Sequence, residues 1–89
     1  MSKTKDAILR EAITHYGPMN QRLKAVEELS ELIRALVRDD RENVAEEMAD
    51  VRIMMGQLEM LYENRDRVRE LEWMKLTRLK ERMSEAGGA

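Results

Sequence analysis

Three features of this 89-residue chain predict an all-α fold. Apolar residues recur at three- and four-residue spacing over most of its length. The interruptions are short and polar: Gly17-Pro18, Arg38-Asp39-Asp40-Arg41 and Arg65-Asp66. The composition, 43% hydrophobic and 38% charged with one Pro, four Gly and no Phe, suits amphipathic helices and gives a sheet little to use. The expected architecture is a four-helix subunit with an antiparallel central hairpin, in one domain spanning residues 1–89. Residues 1–5 and 85–89 are read as loose tails. A chain this short buries a thin core, and oligomerisation is a common remedy.

The first helix runs from about Thr4 to about Tyr16, with Ala7, Ile8, Ala12 and Ile13 at helical spacing. Gly17 ends it, and Pro18, which cannot continue a hydrogen-bond ladder, starts the second. That second helix extends from Pro18 to Arg38. Its core stripe is read as Ala25, Val26, Leu29, Leu32, Ile33 and Leu36, with Gln21, Lys24, Glu28 and Ala35 beside it. Asp39 or Asp40 caps the third helix, and Glu42 stands where a capping box with Asp39 would place it. The third helix reaches Asn64 on a stripe of Val44, Met48, Val51, Met55, Leu58 and Tyr62. Asn43, Glu47, Asp50, Met54 and Gln57 share the adjoining face. Gly56 costs such a helix about 1 kcal/mol relative to Ala, so a close helix approach is expected there. The fourth helix spans Asp66 to Ser84, with Lys75, Arg78 and Arg82 on one side.

Composition excludes several classes. Without cysteine there are no disulfides or thiolate metal sites, and a single histidine argues against a zinc site within one subunit. A net charge of −2 disfavours nucleic-acid binding. No apolar run approaches a membrane span, and the N-terminus shows no signal-peptide core. The expectation is a cytoplasmic protein with no membrane or nucleic-acid partner. Eight methionines suggest adaptable packing or a contact surface.

Two acidic clusters carry the chemistry. They are Glu27-Glu28-Leu29-Ser30-Glu31 and Glu46-Glu47-Met48-Ala49-Asp50. Residues three apart share a helix face, so Glu28 pairs with Glu31 and Glu47 with Asp50. In an antiparallel hairpin, residues equidistant from the turn lie at one height. Glu31 with Glu47 and Glu28 with Asp50 both centre on Asp39, inside the predicted turn. Four carboxylates therefore fall at one level of the bundle. They would repel unless a cation held them, and hard divalent ions take oxygen ligands. The competing reading is a solvated acidic face paired with Lys24, Arg34 or Arg41.

This arrangement resembles the MazG-like all-α nucleoside triphosphate pyrophosphohydrolases, whose signature is E-E-x-x-E, a variable spacer, then E-x-x-D. Here it reads Glu27-Glu28-Leu29-Ser30-Glu31, then Glu47-Met48-Ala49-Asp50. The approach segment from His15 to Gln21 resembles that of small, phage-type members. The stretch from Lys75 to Arg82 resembles the family's basic C-terminal helix. The resemblance implies a subunit that assembles as a dimer or a dimer of dimers and builds its active site with a partner. It implies cleavage of a nucleoside triphosphate between the α and β phosphates, giving monophosphate and pyrophosphate, with magnesium (or manganese in its place). Carried over by motif position, Glu28, Glu31, Glu47 and Asp50 are the metal ligands and catalytic acids. Lys75, Arg78, Arg82 and Lys24 become candidates for holding phosphates. Gln21, Met54 and Gln57 become candidates for the base pocket, and Tyr16 is read as packing against the second helix, with stacking on a base as its alternative. A phosphoribosyl-ATP pyrophosphohydrolase is the close alternative, although the approach segment leans away from it. A non-catalytic helical bundle is the alternative from another class.

Overall fold

A computed structural model describes residues 4–87 and contains four helices: α1 (Lys5–Tyr16), α2 (Pro18–Arg38), α3 (Arg41–Tyr62) and α4 (Arg65–Gly87). Local chemistry sets each boundary. The Thr4 hydroxyl accepts a hydrogen bond from the Ala7 N–H at 3.2 Å and caps α1. Gly17, at φ 94°, donates its N–H to the Ile13 carbonyl and hands the chain to Pro18, the first residue of α2. Asp39 closes α2 in the left-handed region, and Asp40 caps α3 by accepting the Asn43 N–H at 3.2 Å.

Four sequence expectations are corrected. The cap of α3 lies one residue later than a box with Glu42 requires; Asn43 takes the third helical position and has no carboxylate to reach back. Helix α3 stops at Tyr62 rather than Asn64, because Glu63 turns left-handed at φ 50°. Helix α4 starts at Arg65 and runs through Gly87, so residues 85–87 are helix rather than tail. At the other end Thr4 is a cap and Lys5 is helical, while residues 1–3 and 88–89 lie outside the described residues.

The packing centres on α2 against α3, with α1 laid across both. Helix α4 meets the end of α3 and is tied to α1 by Arg65, whose guanidinium donates to both Asp6 oxygens at 3.2 and 3.3 Å. Beyond that junction α4 runs out from the bundle, and none of its described side chains is buried. The radius of gyration, 16.6 Å, exceeds the ~12 Å of a compact chain of this length. Among the described residues, no helix is long and apolar enough to cross a membrane.

The face of α2 that meets α3 differs from the stripe read in the sequence. Ala25 and Ala35 are buried, together with Gln21 and Glu28, while Val26, Leu29, Ile33 and Leu36 stay exposed. On α3 the adjoining face is the inner one: Met54 and Gln57 are buried, whereas Met48, Met55 and Tyr62 are exposed. The arc of α2 that packs inward thus carries the small residues and the acid.

Gly56 explains the seat of α1. A Cβ there would stand 2.6 Å from Leu9 Cδ1, and Leu9 is one of the few buried apolar side chains. Gly56→Ala gains about 1 kcal/mol of helix propensity, but overpacking costs about 1–3 kcal/mol. The single variant is therefore expected to be less stable in urea denaturation. In a Leu9→Ala background, itself about 2–5 kcal/mol weaker, the clash is gone and Gly56→Ala should stabilise. The same sign in both backgrounds would remove the Leu9 contact as the reason for the glycine.

Candidate active site

The acids converge where α2 and α3 cross the same level. One carboxylate oxygen from each of Glu28, Glu47 and Asp50 lies within 4.8 Å of the other two. Farther from the turn, Gln21 Nε2 donates to Gln57 Oε1 at 2.7 Å. Glu28 with Asp50 and Gln21 with Gln57 share the centre at Asp39 that the sequence predicts. Glu31 is half-buried and stands outside the three-oxygen group, yet close enough to act electrostatically on Glu47. Glu27 and Glu46 are exposed.

Burial is uneven across the cluster. Glu28 is 7% exposed, Glu47 half-buried and Asp50 exposed, so the site opens at the Asp50 side. Lys24 lies one turn before Glu28 and places Nζ 3.1 Å from Glu28 Oε1 and 3.8 Å from Glu27. That hydrogen bond to Glu28 is the main reason the lysine pKa is raised, and the Glu27 charge adds to it. The other Glu28 oxygen, Oε2, is buried without a hydrogen-bond partner, and so is Glu47 Oε2.

An ionised oxygen buried without a donor is costly, so such a group takes a proton or a cation. Glu47 shows the strain directly. Burial pushes its carboxyl above the ordinary glutamate range, the charges of Glu31, Asp50 and Glu28 add to the shift, and a hydrogen bond with Glu31 favours its protonated form. Three converging carboxylates, two with buried orphan oxygens, fit a hard divalent cation in ligand type and charge.

A groove of about 470 Å³ opens beside the cluster. Its walls include Gln21, Lys24, Glu28 and Asp50, with Met54 and Gln57 from α3. It therefore gathers the predicted base-pocket residues next to the acids. Tyr16 also lines it, as the base-stacking reading of that residue expects, and sequence reading missed two further wall residues, Ala12 and Ile53. Tyr16 is 59% exposed and edge-on to His15, with ring centroids 4.6 Å apart, so it is not packed away against α2. Lys75, Arg78 and Arg82 are exposed on α4 and are not brought to the cluster within this subunit.

The family described as phosphoribosyl-ATP pyrophosphohydrolase matches residues 5–63, which span α1, α2 and α3 and leave α4 outside. No curated protein and no solved structure matches the chain.

The raised Glu47 pKa has a definite sign. Without metal, the folded state holds a proton that the unfolded state releases at the ordinary value of 4.5. That stability is fully present below the ordinary value and declines as pH rises through the folded pKa. Melting temperatures in a chelator should fall over this window, and Glu47→Gln should flatten the fall. Magnesium at a hundredfold excess over its dissociation constant adds about 2.7 kcal/mol, on the order of 10 °C in melting temperature. The gain should be larger at neutral pH than at pH values near the ordinary one. A gain independent of pH would detach metal binding from these carboxylates.

Proposed function

The chain belongs to the phosphoribosyl-ATP pyrophosphohydrolase family, a family of nucleotide pyrophosphohydrolases, and from that premise we propose that it hydrolyses a nucleoside triphosphate to monophosphate and pyrophosphate with magnesium. The observation that carries this reading is the three-carboxylate cluster with two buried orphan oxygens, set at the edge of a groove. Manganese, with similar oxygen preference, is the expected substitute.

Glu28, Glu47 and Asp50 would hold the ion. A bound divalent ion there would neutralise phosphate charge and lower the pKa of a coordinated water. Lys24 fixes one oxygen of Glu28 and leaves the other free to ligate. Glu31, beside Glu47 but outside the converging oxygens, would take the proton of the attacking water at its carboxylate. The nucleoside would lie in the groove, with Met54 as an apolar wall and the bonded Gln21–Gln57 amides toward the base. The chemistry is mostly positioning and charge stabilisation. Lys75, Arg78 and Arg82 could meet leaving phosphates only from a second subunit, which is consistent with a dimer or a dimer of dimers.

A second reading is favoured by the family match itself. Phosphoribosyl-ATP is a triphosphate with an added phosphoribosyl group, and the same cut would release pyrophosphate from it. A panel of canonical and modified nucleoside triphosphates, with phosphoribosyl-ATP included, separates the two. Pyrophosphate must appear together with the monophosphate; orthophosphate alone would mean that a different bond is cut. Glu47→Gln should lower turnover at least a hundredfold and weaken metal binding, with the circular dichroism spectrum unchanged. Gln57→Leu should raise KM more than it lowers kcat. Turnover that survives Glu47→Gln would remove the cluster from the chemistry.

A further inference from the structure

Gln21 and Gln57 are 7% and 3% exposed, and their side-chain amides are joined by the 2.7 Å hydrogen bond across α2 and α3. A primary amide carries an acceptor oxygen and two N–H donors on a nearly symmetric head. The bond uses Gln21 Nε2 and Gln57 Oε1, which leaves Gln21 Oε1 as an acceptor and Gln57 Nε2 as a donor. Neither atom is among the buried polar atoms that lack a partner, and both residues line the groove. The pair therefore offers the groove one acceptor and one donor side by side.

Nothing in this bond fixes its sense. A backbone N–H, an arginine or a carboxylate can only donate or only accept, and would lock an amide bonded to it. Here each amide is bonded to another amide. Half a turn of both heads gives Gln57 Nε2 donating to Gln21 Oε1, with the free donor and acceptor exchanged and no bond lost.

The pair lies seven residues along both helices from Glu28 and Asp50, a rise of about 10 Å. A ribose and a base ring cover such a distance from a phosphate held at the acids. Met54, 5% exposed, stands on α3 between the two levels as an apolar wall for the ring.

We propose that this amide pair reads the exocyclic group of the base and accepts an amino or an oxo group there equally. The proposal rests on the hydrolase reading above and adds its substrate class, the nucleotides of amino bases and oxo bases alike. An amino group donates to the free amide oxygen, and an oxo group accepts from the free amide nitrogen. A reader of fixed polarity would reject one of the two, because its buried polar atoms would be left unpaired.

The test compares bases that differ only in this exchange of amino for oxo and in the ring nitrogen beside it. Adenosine and inosine monophosphates form one pair, and cytidine and uridine monophosphates the other. Each is titrated into the full chain with magnesium and followed by calorimetry. Dissociation constants within each pair should agree to about tenfold, far short of the rejection a polar site of fixed sense achieves. A wider gap in either pair would overturn the proposal, and so would a failure of all four to bind. Gln57→Glu replaces one head with a carboxylate, which takes the Gln21 N–H and leaves only acceptors toward the groove. The amino member of each pair should then bind at least about tenfold tighter than the oxo member. Gln21→Glu makes the same change from α2. With helicity retained, an unchanged ratio in either variant would remove the pair as the reader. These affinities need no turnover, so a lack of pyrophosphate release from the triphosphates would count against the hydrolase reading and not against the amide pair.

Discussion

Two carboxylate oxygens, Glu28 Oε2 and Glu47 Oε2, are buried with nothing to donate to them, one on each of two packed helices. The subunit is arranged around that unfavourable juxtaposition. Ala25 and Ala35 sit in the contact between α2 and α3, and their small side chains let the backbones approach. The Gln21–Gln57 hydrogen bond fixes the relative height of the helices two turns from Glu28. Given that spacing, Glu28, Glu47 and Asp50 cannot avoid one another. Larger apolar residues in place of the acids would stabilise the pair better, since a buried carboxylate costs more than a packed hydrocarbon. The acids therefore mark a site where stability is surrendered for charge density.

That surrender leaves the subunit with little core of its own. Leu9, Ala25, Ala35 and Met54 are its buried apolar side chains among the described residues, and two of the four are alanines. Most of the large apolar side chains on α2, α3 and α4 face outward. Helix α2 is apolar over about half its circumference but uses a fraction of that arc against α3.

The division explains what the sequence made legible. Helix boundaries were readable within one to three residues because caps and turns are local: Thr4, Gly17-Pro18 and Asp39-Asp40 act through their own backbones. The nearness of Glu28, Glu47 and Asp50 was readable too, because helical rise and a short turn bring those three positions together. The inward face was not. Periodicity reports that a stripe is apolar, not which neighbour buries it, so Val26 and Ile33 looked like subunit core. Glu31 looked equivalent to Glu28 by spacing, but the convergence of three oxygens depends on side-chain directions that spacing does not carry. The path of α4 was hidden for a related reason. Glu63 sets a turn in the left-handed region, and nothing in the residues around it encodes how far the next helix swings.

Helix α1 links the fold to the groove. It contributes almost nothing to the core except Leu9, which fits against α3 only because Gly56 has no side chain. Leu9 seats α1 against α3, and Ala12 and Tyr16, one and two turns farther along, form a wall beside the acids. A shift of Leu9 by the width of a methyl group would move the wall without touching a carboxylate. Packing at Gly56 and the shape of the groove are therefore one constraint, and the helix-propensity cost of a mid-helix glycine is explained by the site that it helps to shape.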